Sequence, residues 1–139
     1  MSYDLIIGSG REDETQHDVI WNASSGVAVW VLREISRRVT DGELKTSLRQ
    51  FAEDRYSYIP LTVFTESQVA QVLAVILGPL LKAAREEWTP ENDLHNTPEI
   101  IEELVQKTAT MVEAINGQRR SEGRPELQPY LGGDSPLRQ

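Results

Sequence analysis

The longest apolar pattern in the chain runs from Thr65 to Trp88 and predicts a helix. At 100° per residue its apolar side chains cover most of the circumference. One narrow polar stripe remains, formed by Gln71, Gly78, Lys82 and Arg85. A helix that is apolar nearly all round has to be covered on several sides. We therefore expect a central buried helix with Ile76 and Leu77 in the middle of the core.

Two local signals mark the start and the middle of this central helix. Thr65 followed three residues later by Gln68 fits a capping box, in which the two side chains satisfy backbone N–H groups reciprocally. Pro79 lacks an N–H group and presses against the carbonyl of Val75. We therefore expect a kink at Gly78-Pro79 that bends the helix around the core.

The N-terminal residues predict a β-hairpin. Residues 3–7 and 17–22 are rich in β-branched and aromatic side chains, and a glycine turn and a charged segment separate them. Gly8 and Gly10 match the first two glycines of a dinucleotide-binding loop. Asp13 occupies the third position, more acids surround it, and no helix begins there, so this sequence argues against a pyrophosphate site.

Two amphipathic helices are predicted between the hairpin and the central helix, because their apolar residues recur at helical spacing. The first runs from a cap at Ser24 or Ser25 to about Val39. The second opens with a capping box at residues 40–43 and fades near Asp54.

A last helix is predicted to begin at Thr97, with threonine as cap and proline next, and to end at Asn116-Gly117. Residues 56–64 suit a strand by composition, but Pro60 limits them to a sheet edge or an extended connection. Together these elements predict a helix-dominated α+β fold, with an N-terminal β-hairpin packed on about four helices around the central one.

The last part of the chain differs in composition from the rest. Residues 118–139 contain glycine, proline and charge with almost no periodic apolar residues, which predicts a flexible C-terminal tail. Residues 1–117 then form a single globular domain, since 139 residues is the size of one ordinary domain.

Composition narrows the classes of function. The chain has no cysteine, which excludes disulfides, thiolate chemistry and cysteine-ligated zinc. Its net charge of -8 disfavours nucleic acid and anionic membranes and favours either a basic protein partner or solubility alone. The apolar run that stops at Lys82 is shorter than the ~20 residues a bilayer requires. Because the N-terminus lacks a signal-peptide pattern, we expect a cytoplasmic protein.

Candidate catalytic residues are few. His17 and His95 are the only histidines, and neither has acids at ligand spacing on one face, so no metal or cofactor is predicted. Ser24 and Ser25 lack the pattern of a hydrolase nucleophile and are explained by helix capping. A small enzyme that uses His17 or His95 is therefore the least favoured hypothesis.

Trp30 is the best-defined candidate binding residue. In the first predicted helix it points away from the apolar face, on the same side as Arg33 and Arg37. It is covered by the hairpin or by the tail near Tyr130, or it stacks on Arg33, or it anchors a partner. Because tryptophan and arginine are enriched at interface hot spots, we take Trp30, Arg33 and Arg37 as the predicted contact surface.

These observations favour a non-enzymatic acidic protein-binding module of the inhibitor or immunity type, with a protein partner and no cofactor. The alternative hypothesis is a homo-oligomeric structural or assembly protein. Both rest on the composition and on the candidate surface, because no catalytic motif was found.

Overall fold

The chain begins with two strands, continues mainly with helices and confirms the predicted helix-dominated α+β fold. The computed structural model describes residues 2–7, 17, 19–54, 58–59, 64–93 and 96–129. In these residues the elements are β1 (Ser2–Ile7), β2 (Val19–Ser24), α1 (Ser25–Arg38), α2 (Gly42–Glu53), β3 (Tyr58–Ile59), α3 (Glu66–Leu77), α4 (Pro79–Glu87) and α5 (Thr97–Ser121). The predicted glycine turn at residues 8–10 and the charged segment after it lie outside the described residues.

The sheet has the order β2-β1-β3. β1 and β2 pair antiparallel, with Leu5 opposite Trp21, which confirms the predicted hairpin. β3 pairs in parallel with β1 at the other edge, in agreement with the edge position expected from Pro60. Along β2, buried and exposed residues alternate, so one side of this strand faces the core.

The predicted central helix is two helices, α3 and α4, whose axes bend by 45° at Gly78. The Thr65–Gln68 capping box at its start is confirmed, since Gln68 N donates to Thr65 Oγ1 at 3.1 Å and Thr65 N to Gln68 Oε1 at 2.9 Å. Pro79 begins α4 at a position where its missing N–H costs nothing. The Val75 carbonyl accepts from Gly78 N at 3.4 Å, so the break leaves it with a partner.

Helix α3 lies at the centre of the core and contacts α1, α4 and α5. Ile76 is fully buried as predicted, whereas Leu77 is only half-buried at the rim of the core. No single helix in the described part of the chain is both long and apolar enough to cross a membrane. Together α3 and α4 reach that length and composition, but they form a bent pair.

Two glutamines of α3 are buried and hold the turn between α1 and α2. Gln71 Oε1 accepts from the backbone N–H groups of Thr40 and Asp41 at 2.9 and 3.1 Å. Asp41, and not a box at residues 40–43, caps α2, because its carboxylate accepts from Leu44 N at 2.8 Å. The bond from Leu44 N–H, followed by that from the Gln68 amide, lowers the pKa of Asp41. Gln71 therefore belongs to a buried hydrogen-bond network, because the α1–α2 turn packs onto this side of α3.

The C-terminal end of α5 differs from the prediction. The helix passes through Asn116 and Gly117 and ends at Ser121, and the glycine with a left-handed backbone is Gly123, at φ +72°. Asn116 is buried, and its side-chain amide donates to Leu127 O at 3.1 Å and accepts from Leu127 N at 2.6 Å. The helix end predicted at residue 117 was wrong because the side chain of Asn116 is satisfied by a later segment.

The segment after α5 packs on the domain. Leu127 is 2% exposed. Arg119, which lies beyond the predicted domain boundary, is buried and forms an ion pair with Glu66 in the first turn of α3. Residues 118–129 therefore contact the core helices, whereas residues 130–139 lie outside the described residues. Removal of the segment is the direct test of the predicted tail.

Gly78→Ala should lower the free energy of unfolding by about 1–3 kcal/mol, because a Cβ there would lie 2.8 Å from the Ala74 carbonyl oxygen. Gly26→Ala is the matched control, since a Cβ at Gly26 meets no atom within 4 Å. The control should be neutral or stabilise the protein by up to about 1 kcal/mol. Urea unfolding of both variants measures the difference. If Gly78→Ala leaves the free energy of unfolding unchanged, the break between α3 and α4 does not require glycine.

Truncation after Gly117 should lower the melting temperature by about 10 °C or more, since it removes buried Leu127 and Arg119. A chain that ends at Pro129 is the control and should retain the melting temperature of the full chain. Scanning calorimetry of the three proteins measures the effect. Equal melting temperatures for all three would restore the interpretation of residues 118–139 as a removable tail.

Candidate functional site

The predicted contact residues lie on one stripe of α1. Val27, Trp30, Arg33 and Arg37 follow one another at intervals of three or four residues, so they share one side of the helix. This side is distinct from the fully buried face that includes Val31 and Ile35. The structure therefore places Trp30, Arg33 and Arg37 together along α1, as the sequence suggested.

Trp30 is half-buried, and the residue that covers it is Trp88. The two ring centroids are 4.6 Å apart and the ring planes meet at 67° in an edge-to-face arrangement. Such pairs contribute about 0.5–1.5 kcal/mol beyond the burial of their area. Among the described residues, Trp88 is thus a ring partner of Trp30, and Tyr130 lies outside the described residues.

The arginines beside Trp30 differ in their contacts. Arg33 is exposed. Arg37 is also exposed, yet its guanidinium forms an ion pair with Glu34 at 2.7 Å. Arg38 contacts the same carboxylate at 3.2 Å. Glu34 is 7% exposed, so the two arginines neutralise a buried carboxylate.

Trp88 lies at the end of α4, where the connection to α5 begins. Trp88 is the C-cap of α4, and its N–H donates to Ala84 O at 2.9 Å. Asn92 closes the turn that follows, since its side chain accepts from Thr89 N at 2.9 Å and donates to Glu87 O at 3.2 Å. The backbone N–H of Asn92 also donates to Thr89 O at 3.1 Å, so side-chain and backbone bonds together close this turn.

Asp93 caps the start of α5. Its carboxylate accepts from Thr97 N at 2.7 Å and from Thr97 Oγ1 at 2.8 Å. Thr97 is therefore the first helical residue and not the cap, and Asn96 before it adopts a left-handed backbone at φ 54°. The predicted helix start is confirmed, but the capping side chain comes from four residues earlier.

A cavity of about 640 Å³ opens beside Trp88, and we call it the Trp88 cavity. Its walls come from the start of α1, the connection after α4 and the start of α5. The lining residues are Ser24, Gly26, Val27, Trp88, Asn92, Asp93, Thr97 and Ile100. Beneath it, buried Trp21 donates its indole N–H to Ile100 O at 2.8 Å and ties β2 to α5.

Trp88 and Val27 join the Trp88 cavity to the predicted contact residues. We call Val27, Trp30, Arg33 and Arg37 together with Trp88 the tryptophan face. Trp88 was not among the residues predicted for the contact surface, because the sequence analysis placed it only at the end of the central helix. A tryptophan that ends an amphipathic helix was the available signal, since a large indole is rarely left fully in water.

The histidines give a weaker candidate. His17 lies 3.1 Å from Gln118 Oε1 and lines a second cavity of about 650 Å³ between β2 and α5, together with Lys107 and Glu103. His95 lies outside the described residues. Within the described residues no group of three or more histidine, aspartate or glutamate side chains is arranged to hold a metal ion.

Comparison of the chain with protein-family models, with curated proteins and with solved structures finds no match. The tryptophan face and the cavity beside it are therefore the features from which a function is inferred.

Proposed function

We propose that this protein is a non-enzymatic protein-binding module, of the inhibitor or immunity type, that holds a basic partner through the tryptophan face. The observation that carries the proposal is the half-buried pair of Trp30 and Trp88 at the edge of an open cavity. The pair offers a large aromatic surface whose position is already set by internal contacts.

The composition of the tryptophan face supports this proposal. Interface hot spots are enriched in tryptophan and arginine, and they cluster where a pocket excludes water. Trp30, Trp88, Arg33 and Arg37 combine both residue types within one continuous region. The Arg37–Glu34 ion pair holds one guanidinium in place before binding, which reduces the entropy lost on association.

The charge of the chain supports a basic partner. A net charge of -8 attracts positively charged proteins and raises the rate of their encounter. The specific contacts at the tryptophan face would then determine how slowly the complex dissociates, because most differences in affinity arise from dissociation rates.

The test uses peptides displayed on phage and selected on the full-length protein. We expect selected peptides to lose about tenfold or more in affinity for Trp30→Ala, which corresponds to about 1.4 kcal/mol. Arg49→Ala, an exposed arginine on α2, serves as control and should retain binding. Near-ultraviolet circular dichroism checks that each variant is folded. Peptides that bind Trp30→Ala as tightly as the wild type would refute the proposed binding surface.

A homo-oligomeric assembly protein is the second candidate, and an observation at the sheet edge favours it. β2 has a hydrogen-bonded neighbour strand on one side. Ile20 on it is 59% exposed, the one large apolar side chain in the described part of the chain with that exposure. Lys107 Nζ of α5 donates to Ile20 O at 2.9 Å, so a second copy that pairs along β2 displaces this contact.

Light scattering over a hundredfold dilution tests this second candidate. Pairing through β2 predicts a dimer mass that falls toward the monomer mass on dilution, because the interface is small. Ile20→Lys should shift the equilibrium to the monomer, as charged side chains on an edge strand oppose pairing. A monomer mass at every concentration would refute assembly through β2.

A further inference from the structure

We propose that the Trp88 cavity binds a lysine or arginine side chain of the partner. This inference rests on the proposed function and names the partner chemistry that the same site recognises. It follows from the walls of the cavity, from the charge of the surrounding chain and from the residues at its polar end.

The walls of the cavity suit a long aliphatic stem. Trp88, Val27 and Ile100 form its apolar part, and all three are half-buried against the core. Lysine and arginine bury their methylene groups along such surfaces and keep the charged end toward polar groups or water. A cation close to the face of an indole ring is further stabilised by the ring quadrupole.

The polar end of the cavity carries oxygen acceptors. Asn92 and Asp93 both line it. The Asp93 carboxylate is held in place by Thr97 N and Thr97 Oγ1, so its negative charge stays at the wall. A guanidinium or ammonium group is the natural complement of a positioned carboxylate at the end of an apolar channel.

The charge of the chain near the cavity also favours a cationic ligand. Residues 86–103 contain seven acidic residues and no lysine or arginine, although the net charge of the whole chain is only -8. Trp88 lies within this stretch. The exposed Glu91 belongs to it, and the bond from the Thr89 hydroxyl lowers the pKa of Glu91. This region therefore attracts a cation and repels a carboxylate.

The start of α1 is the one feature that would favour an anion. Ser24 and Gly26 line the cavity at this helix N-terminus, where backbone N–H groups carry partial positive charge. Ser24 Oγ already accepts from Val27 N at 3.3 Å. Glu102 is paired with Arg85 and Glu103 with Lys107. The five other carboxylates of residues 86–103 still outweigh about half a unit of positive charge at one helix end, so the cavity favours a cation.

The probe for the test is the pentapeptide acetyl-Gly-Gly-Arg-Gly-Gly-amide, with Lys, norleucine and Glu versions of the central residue. Titration of the full-length protein is followed by NMR through the Trp88 indole N–H and the Val27 and Ile100 methyl groups. We expect Arg and Lys peptides to shift these signals with dissociation constants near about 1–10 mM, and norleucine and Glu peptides to bind at least about tenfold more weakly. Binding of the Arg peptide should weaken as salt is raised.

A pair of glycine variants tests the location. Gly26 lines the cavity, and a Cβ there meets no atom within 4 Å, so Gly26→Leu adds apolar bulk at the cavity wall from open space. Near-ultraviolet circular dichroism checks that the variant is folded. Gly42→Leu adds the same side chain to the first turn of α2, where space is also open. Gly26→Leu should lower the affinity of the protein for the Arg peptide by about tenfold or more, whereas Gly42→Leu should leave this affinity unchanged.

The outcomes separate this inference from the proposed function. Equal binding of the norleucine peptide, tighter binding of the Glu peptide, no shift of the Trp88 signal, or full binding by Gly26→Leu would each overturn the inference. If the phage peptides bind Trp30→Ala as tightly as the wild type while the Arg peptide still binds the cavity, the tryptophan face is refuted as the partner site. The cation specificity of the cavity would stand in that case.

Discussion

The structure depends on the burial of α3 on nearly all of its sides. Val72, Leu73, Val75 and Ile76 are fully buried although they point in different directions around the helix. No single neighbour can cover such a helix, so α1, α4 and α5 all pack against it. Even the polar side chains of its first turns, Gln68 and Gln71, are buried and satisfied by the α1–α2 turn. The core helix thus sets the positions of the elements around it.

The break at Gly78 connects this core to the candidate site. Without the 45° bend, a straight continuation would displace the end of α4 by about 10 Å, given a rise of 1.5 Å per residue over some ten residues. Trp88 lies at that end, and it reaches Trp30 only along the bent path. The Trp30–Trp88 pair and the cavity beside it are therefore consequences of how the central helix is interrupted.

Much of the fold could be predicted from local sequence signals such as helix caps and alternating apolar residues. The Thr65–Gln68 capping box, the Ser24 cap and the hairpin each depend on residues close in sequence or on a strong alternating pattern. The predicted end of α5 was wrong because it depends on a contact between residues distant in sequence. Asn116-Gly117 has the composition of a helix end, but Asn116 is satisfied by Leu127, eleven residues away. A tertiary contact overrode a local preference, as it often does.

The sequence by itself determined the class of fold, the buried central helix and the side of α1 on which Trp30, Arg33 and Arg37 lie, because helical and strand periods follow from backbone geometry. It also determined the acidity of residues 86–103. Only the tertiary structure decided that Trp88 covers Trp30 and that Asp93 caps α5 beside a cavity. Those contacts depend on the angle between α3 and α4 and on the side chains of a connecting loop. Neither the angle between the helices nor the bonds of the loop side chains produces a repeating pattern of apolar residues, so the sequence does not reveal them.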